Sequence, residues 1–538
     1  MALHNKWYPA AEDTIIPWNA TYSFPTEANK CEKSIPRIQP KTGSSFGPGD
    51  LFRIEFPASG YINPLNTFLT FDLTITYAGT IGSNTPIVRF QNNVASIFER
   101  ITLYYGSNVI EDMRGYNVIV RALTEWTATN QMVHDNSSIT EGIGGVVVGS
   151  DGSGSTQGLI NVRQTYIQGV DLSVNTAATP LSFSQGDGAG YVPNTAANNQ
   201  TNGLCTRRYC INLALGIFTQ DKLLPVKYMA AQLGLEFTLA TAASCMFVQI
   251  GGTTAANWGY RIGNIAMLPE VLQFDSSYDV EFLKGLEGDG VPIKFCSWHR
   301  FVFPTANSSV ANLIIQEKSR SVKSIFMVQR RAPENIQSDS GAFFYDTSAT
   351  ANSLIDYQYR IGDRYYPGRP VQCTGIGGNI TNGAAEAYME LQKAMNTMGD
   401  YRLSPPVNSN RWAMPVATAN ITLTGSGLAT PYNELDYTCN VAVWSTTGCP
   451  TYVDISHAHA TTGNTFCGNL GSNCFTMALS LETSNGVEIS GLNAEQQSDI
   501  SLIANWSSGQ AAAFIFEVFT YYDAMLILRS GNNMDLIQ

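Results

Sequence analysis

His457 and His459 stand two residues apart with Cys467 and Cys474 downstream, a set of ligand types that would suit a zinc ion. The spacing argues against that reading, because structural zinc sites bring their cysteines in tighter pairs and this His-Ala-His lies in a polar stretch. Cys296 and His299 have the spacing of half a metal site without a second half, and belong to the strand-like run KFCSWHRFVF. The letters GSSFG at 43–47 match a nucleophile elbow around Ser45. An elbow needs a helix directly after the serine, whereas Pro48, Gly49 and an alternating run follow. GIGGNI at 375–380 lacks the Lys-Ser/Thr ending of a phosphate loop and reads as a turn.

The densest charges lie in SIFERITLYYGSNVIEDMRGYN, residues 96–117, which holds Glu99, Arg100, Glu111, Asp112 and Arg114. Ile101, Leu103 and Tyr105 alternate with Thr102 and Tyr104, and Gly106-Ser107-Asn108 supplies turn chemistry, so the stretch predicts a hairpin. Neighbours in a strand point to opposite faces, so Glu111 and Asp112 cannot converge on one substrate atom as the two carboxylates of a glycosidase must. Glu99, Arg100, Glu111 and Arg114 are expected to be solvated or in cross-strand pairs. No catalytic, cofactor-binding or metal-binding residue is predicted, and the chain is not expected to be an enzyme.

The elements that carry these residues are predominantly strands. Residues 49–77 hold two alternating runs split at Gly60 and Pro64, and Ile119, Leu123 and Trp126 after Gly115 predict a helix to about Met132. Residues 143–203 are rich in Gly, Ser, Thr and Asn and read as a long loop. Strands resume at RYCINLALGIF, AAQLGLEFTLATA and NIAMLPEVLQFD. The same order then returns: SVKSIFMVQR, a pair turning at Gly362-Asp363, a helix from Ala384 to Met398 capped by Gly399, a loop-rich insertion at about 405–465, and strands through AAFIFEVFTYYDAMLILR. This is a duplication of architecture without obvious letter identity. The predicted fold is all-β, two tandem eight-stranded jelly rolls with short helices and long loop insertions. Residues 1–45 are read as an N-terminal arm, 46–288 as the first roll and 289–538 as the second.

Composition fits rigid shells. Charged residues make up 14% of the chain, against roughly 25% in typical soluble proteins, so much of the surface must be neutral and polar. The net charge of −12 and the lack of a long Lys/Arg run speak against specific nucleic-acid binding. Ten cysteines in 538 residues are too sparse for a disulfide framework. The first 30 residues do not read as a signal peptide, and the most apolar late segment is interrupted by Glu517 and Asp523, so no transmembrane helix is expected.

FPASGYINPLNTFLTFDLT, SIFERITLYYGSNVIEDMRGYNVIVRALTEW, KLLPVKYMAAQLGLEFTLA, SVKSIFMVQR, DYQYRIGDRYYPGRPV and GLNAEQQSDISLIANW together resemble the double jelly-roll major capsid proteins of icosahedral double-stranded DNA viruses, most nearly those of virophages and Polinton-like viruses. The resemblance runs from about residue 45 onward. It implies a homotrimer whose six rolls form a pseudo-hexameric capsomer in the virion shell, meeting neighbouring capsomers, penton and minor capsid proteins, with loops forming outward towers. Lys30, Lys33, Arg37 and Lys41 would suit an arm at the inner base that touches those partners or an internal membrane. The alternatives are a secreted or surface glycan-binding or glycan-hydrolysing β-sandwich, which needs an export signal and a convergent acidic pair, and a non-trimeric spike or minor capsid component.

Overall fold

The computed structural model describes residues 31–77, 87–91, 94–127, 140–141, 147–150, 157–160, 167–168, 205–229, 231–249, 257–288, 290–305, 308–331, 354–373, 385–395, 418–422, 440–444, 450–454, 458–461, 465–469, 475–482, 490–495, 499–506, 514–529 and 534–538. Eight strands build the first unit: β1 (Cys31–Ser34), β2 (Leu51–Glu55), β3 (Tyr61–Tyr77), β4 (Phe98–Tyr105), β5 (Asn108–Arg114), β6 (Cys205–Asn212), β7 (Leu233–Leu239) and β8 (Trp258–Phe274). They form two antiparallel sheets, ordered β1-β8-β3-β6 and β2-β7-β4-β5, with the two-residue strand Ser45–Phe46 also paired to β8. Eight more follow: β9 (Val291–Thr305), β10 (Val310–Ile315), β11 (Val322–Arg331), β12 (Leu354–Ile361), β13 (Arg364–Gln372), β14 (Met477–Ser480), β15 (Ile500–Trp506) and β16 (Phe514–Leu528). Their sheets run β9-β16-β11-β14 and β10-β15-β12-β13. Adding eight to every strand of the first unit reproduces the second, so the chain is a double jelly roll in connectivity as well as in count.

Alternation explains why these segments pair as they do. In β2, Phe52 and Ile54 are buried while Leu51 is exposed, and β15 buries Ile500, Leu502, Ala504 and Trp506 in the same period. Facing sheets are tied together in the core. Phe71 of β3 meets Phe98 of β4 edge-on at 5.7 Å, and in the second roll Tyr357 and Tyr359 donate across the core to the carbonyls of Ala478 and Met477 at 3.1 and 2.6 Å.

Several expectations are corrected here. Pro64 does not split β3, which begins at Tyr61. It sits with Pro269 of β8 inside a register shift between the pairs Asn63–Glu270 and Phe68–Leu268, where the ladder needs no N–H from either proline. Cys31–Ser34, inside the segment read as an arm, pairs with Val271–Phe274 as the first strand of the first roll. The helix after the hairpin is α1 (Tyr116–Thr127); its expected continuation to Met132 lies outside the described residues. A four-residue helix, α2 (Gly216–Thr219), follows β6. Between the rolls lies a helix that the sequence reading passed over, α3 (Ser276–Glu287), opened by the Asp275 carboxylate accepting from Ser276 N–H at 2.8 Å. The later helix is α4 (Ala385–Ala394), with Leu391 buried; Met398 and Gly399 lie outside the described residues.

Both excursions contain strands. Val147–Ser150 pairs with Gln157–Ile160, and Ile167–Gln168 joins Ile87–Gln91 and Met246–Gln249 in a small sheet. In the second, Thr418–Thr422, Ala458–Thr461 and Thr465–Asn469 form one sheet and Asn440–Trp444 with Pro450–Asp454 another. Small polar residues conceal strand propensity when a strand has no apolar face to alternate. The remainder of 143–203 and 405–465 lies outside the described residues.

Candidate functional site: the seam between the two rolls

Most charges of the hairpin β4–β5 bond to one another. Asp112 accepts two hydrogen bonds from Arg100, at 2.6 and 2.8 Å, and one from Arg114 at 2.9 Å. Burial alone would raise the Asp112 carboxyl; the two guanidiniums hold it below the usual carboxylate range. Glu99 is exposed. Glu99, Arg100 and Arg114 fit the expected solvated or cross-strand arrangement. Glu111 does not: it is 1% exposed and bonds outside its own hairpin.

Glu111 accepts from Gly216 N–H at 2.8 Å, from Ile217 N–H at 3.4 Å and from Ser297 Oγ at 2.6 Å. The first two donors open α2 of the first roll; the third belongs to β9 of the second. A carboxylate in β5 thereby joins both rolls. Burial pushes it up to about 6 while the three hydrogen bonds pull the other way. Around it two glycines are packed tightly, one against backbone and one against a side chain. A Cβ on Gly216 would stand 1.8 Å from Cys296 O, and one on Gly115, at φ +66°, would stand 2.5 Å from Arg300. Trp126 at the end of α1 stacks on Phe326 of β11, and Gln538 Nε2 donates to Ile110 O at 3.1 Å.

The second roll brings its own buried acids to this side. Glu317 accepts from Ser319 Oγ at 2.6 Å and from Ser319 N–H at 2.9 Å, receives Thr520 Oγ, and lies 3.2 Å from His299 Nδ1. Burial would raise the Glu317 carboxyl, but these donors, His299 first, bring it down to about 2. Glu517 takes Arg300 Nε at 2.7 Å, and Asp523 takes Ser321 Oγ at 2.8 Å and Cys296 Sγ at 3.3 Å, with Lys294 Nζ 3.4 Å away. A groove of about 570 Å³ runs alongside, lined by Val109, Asp112 and Arg114 of one roll and His299, Glu317 and Tyr522 of the other.

Cys296 and His299 thus bond to different acids, Asp523 and Glu317. Among the described residues no cluster of three or more His, Cys, Asp or Glu is arranged to hold a metal ion. His459 and Cys467 are register partners on adjacent strands, while His457 and Cys474 lie outside the described residues, as does GIGGNI. Ser45 pairs in a two-residue strand with Gly263 and is followed by a turn rather than a helix. Of the four arm cations, Lys33 pairs with Glu270, Lys41 with Glu55, and Arg37 donates to Asn264 Oδ1 at 2.7 Å, so the first roll holds these three; Lys30 lies outside the described residues. Sequence reasoning places Glu111 among solvated or cross-strand charges and does not single out Ser297; their strands, NVIEDMR and VPIKFCSWHRFVFPT, mix polar and apolar letters, so neither position stands out.

No family model and no curated protein matches the chain. Among solved structures, a chain of the Sputnik virophage, determined by cryo-electron microscopy, aligns over 99% of this chain and 93% of its own with a TM-score of 0.52 at 10% identity. The Faustovirus major capsid protein aligns over 94% and 92% with a TM-score of 0.49 at 10% identity, and the mavirus major capsid protein over 98% and 93% with 0.46 at 8%. The Sputnik likeness establishes the same two-roll fold over nearly the whole chain.

Proposed function

We propose that this chain is the major capsid protein of an icosahedral double-stranded DNA virus, acting as a structural protein of the virion. The observation that carries the reading is the pair of rolls with identical connectivity, fused by a buried seam and aligned along nearly its full length with a chain of the Sputnik virophage. Three copies about a closed axis would place six similar walls in a ring, which approximates the six-neighbour symmetry of a shell lattice. The proposed division is a first roll ending near 288 and a second beginning near 289. Residues 1–30 are the proposed arm toward neighbouring capsomers, penton and minor proteins or lipid, and the 143–203 excursion is a proposed outward tower.

A fixed seam suits a wall that bears load: Glu111 bonds across the two rolls to Ser297, while Glu317, Glu517 and Asp523 are each tied down within the second roll. Light scattering on the purified chain tests the assembly: about three times the chain mass at every accessible concentration is expected, since obligate interfaces bury about 2,000 Å² or more. A stable monomer would favour the glycan-binding sandwich instead.

A further inference from the structure

The centre of the seam is an acid without a counter-ion. Its neighbours are matched: Asp112 with Arg100 and Arg114, Glu517 with Arg300, Glu317 with His299, Asp523 with Lys294. Among the described residues no Lys, Arg or His is paired with Glu111, whose partners are Ser297 and two backbone amides. A buried carboxylate in that position has lost its hydration and gained only neutral donors, so its neutral form is favoured. Protonated, the carboxyl can donate to Ser297 Oγ and still accept from Gly216 N–H, keeping the bridge between rolls.

The groups facing it are few. Tyr116 comes from α1 and accepts from Ala214 N–H at 3.0 Å; Tyr522 comes from β16; Cys296 and His299 flank Ser297 on β9; α2 offers backbone alone. On β5 itself the next residue is Asp112 with its two arginines. Burial pushes the Tyr116, Tyr522 and Cys296 groups up, so all three stay neutral in acid and at neutrality. Glu141, which acts on Tyr116, is itself pushed up by burial to about 7 and is the second group that titrates nearby.

We propose that Glu111 is a proton-operated latch between the two rolls, closed when its carboxyl is protonated and loosened when it ionises. A folded-state value raised from the ordinary 4.5 to about 6 gives stabilisation that is complete below about 4.5 and lost as the pH rises through 6. By linkage the closed seam should weaken about eightfold between roughly pH 5 and pH 8. This goes beyond a role in a shell, since it is a property of the single chain.

Hydrogen exchange at the amides of Gly216, which is packed under Cys296 O of the second roll, and Ile217 reports the seam's opening, because local protection tracks the opening equilibrium. Measured on the full chain between roughly pH 5 and pH 8 and corrected for intrinsic rates, wild-type protection should fall about eightfold, most of the fall coming as the pH rises to about 6. Glu111→Gln should stay protected throughout, and Glu141→Gln should keep the wild-type fall. Ser297→Ala, which removes a donor that favours the ionised form, should keep the fall but move its midpoint to higher pH. Flat or rising wild-type protection, a parallel fall in Glu111→Gln, or loss of the fall in Glu141→Gln would overturn the proposal. Should Glu111→Gln not fold, the Ser297→Ala midpoint decides, and an unmoved midpoint counts against the latch.

Discussion

Trp126 of the first roll stacks on Phe326 of the second, ring centroids 5.1 Å apart and planes 23° from parallel. Trp298 approaches the same Phe326 at 5.6 Å, so one ring is held by an aromatic from each roll. Trp126→Ala should cost about 3–5 kcal/mol in denaturant unfolding, the usual range for deleting a buried large aromatic. Trp126→Phe should lose much less. Equal stability of the alanine variant and wild type would show that this stack does not secure the seam.

Two glycines make opposite forecasts. A methyl on Gly216 meets Cys296 O at 1.8 Å, a backbone atom that cannot rotate away, whereas a methyl on Gly285 in α3 meets nothing within 4 Å. Gly216→Ala should therefore separate or unfold the rolls. Gly285→Ala should raise stability by about 0.5–1 kcal/mol through helix propensity. Thermal melts of the two variants side by side check both, and a harmless Gly216→Ala would refute the close approach.

Glu317 responds to acid in the opposite sense from Glu111. Its folded-state value, lowered from 4.5 to about 2, means that its contribution is present above about 4.5 and lost as the pH falls through 2. Glu317→Gln should lose stability on the order of 3 kcal/mol near neutrality and converge with wild type in strong acid. Urea midpoints at several acidic pH values would expose a constant gap, which is the outcome that contradicts this account.

Deleting residues 1–30 should leave soluble oligomers, because the roll's own first strand begins at Cys31 and its cations Lys33, Arg37 and Lys41 are held within the roll. The truncated chain is expected to fail at shell assembly under electron microscopy. Normal particles would remove the arm's assigned role.

The fold was legible where one sheet face is buried, as the alternation in Phe52/Ile54 and Leu502/Ala504 shows, and the turn at Gly106, with φ +59°, was legible from its glycine. Sequence reasoning takes Arg100 and Arg114 only as solvated or cross-strand charges; in the register they face each other, and both reach Asp112, which faces Thr102. Glu111 escaped because burial depends on what packs across from a strand, and its partners stand 105 and 186 residues away. Helix α3 escaped for another reason: Tyr278, Val280 and Leu283 are exposed although apolar, so its pattern lacks a single clean stripe.

The strand that carries Glu111 closes the edge of its sheet, and the second roll covers it. Its counterpart in the second roll, β13, also lies at a sheet edge, but holds Pro367 and Pro370, which offer no N–H to a further strand. The two copies are thus alike in wiring and unlike in polarity: the first has a socket, the second a blunt end. The prolines of β13 make that edge a poor template for pairing with a strand of another chain.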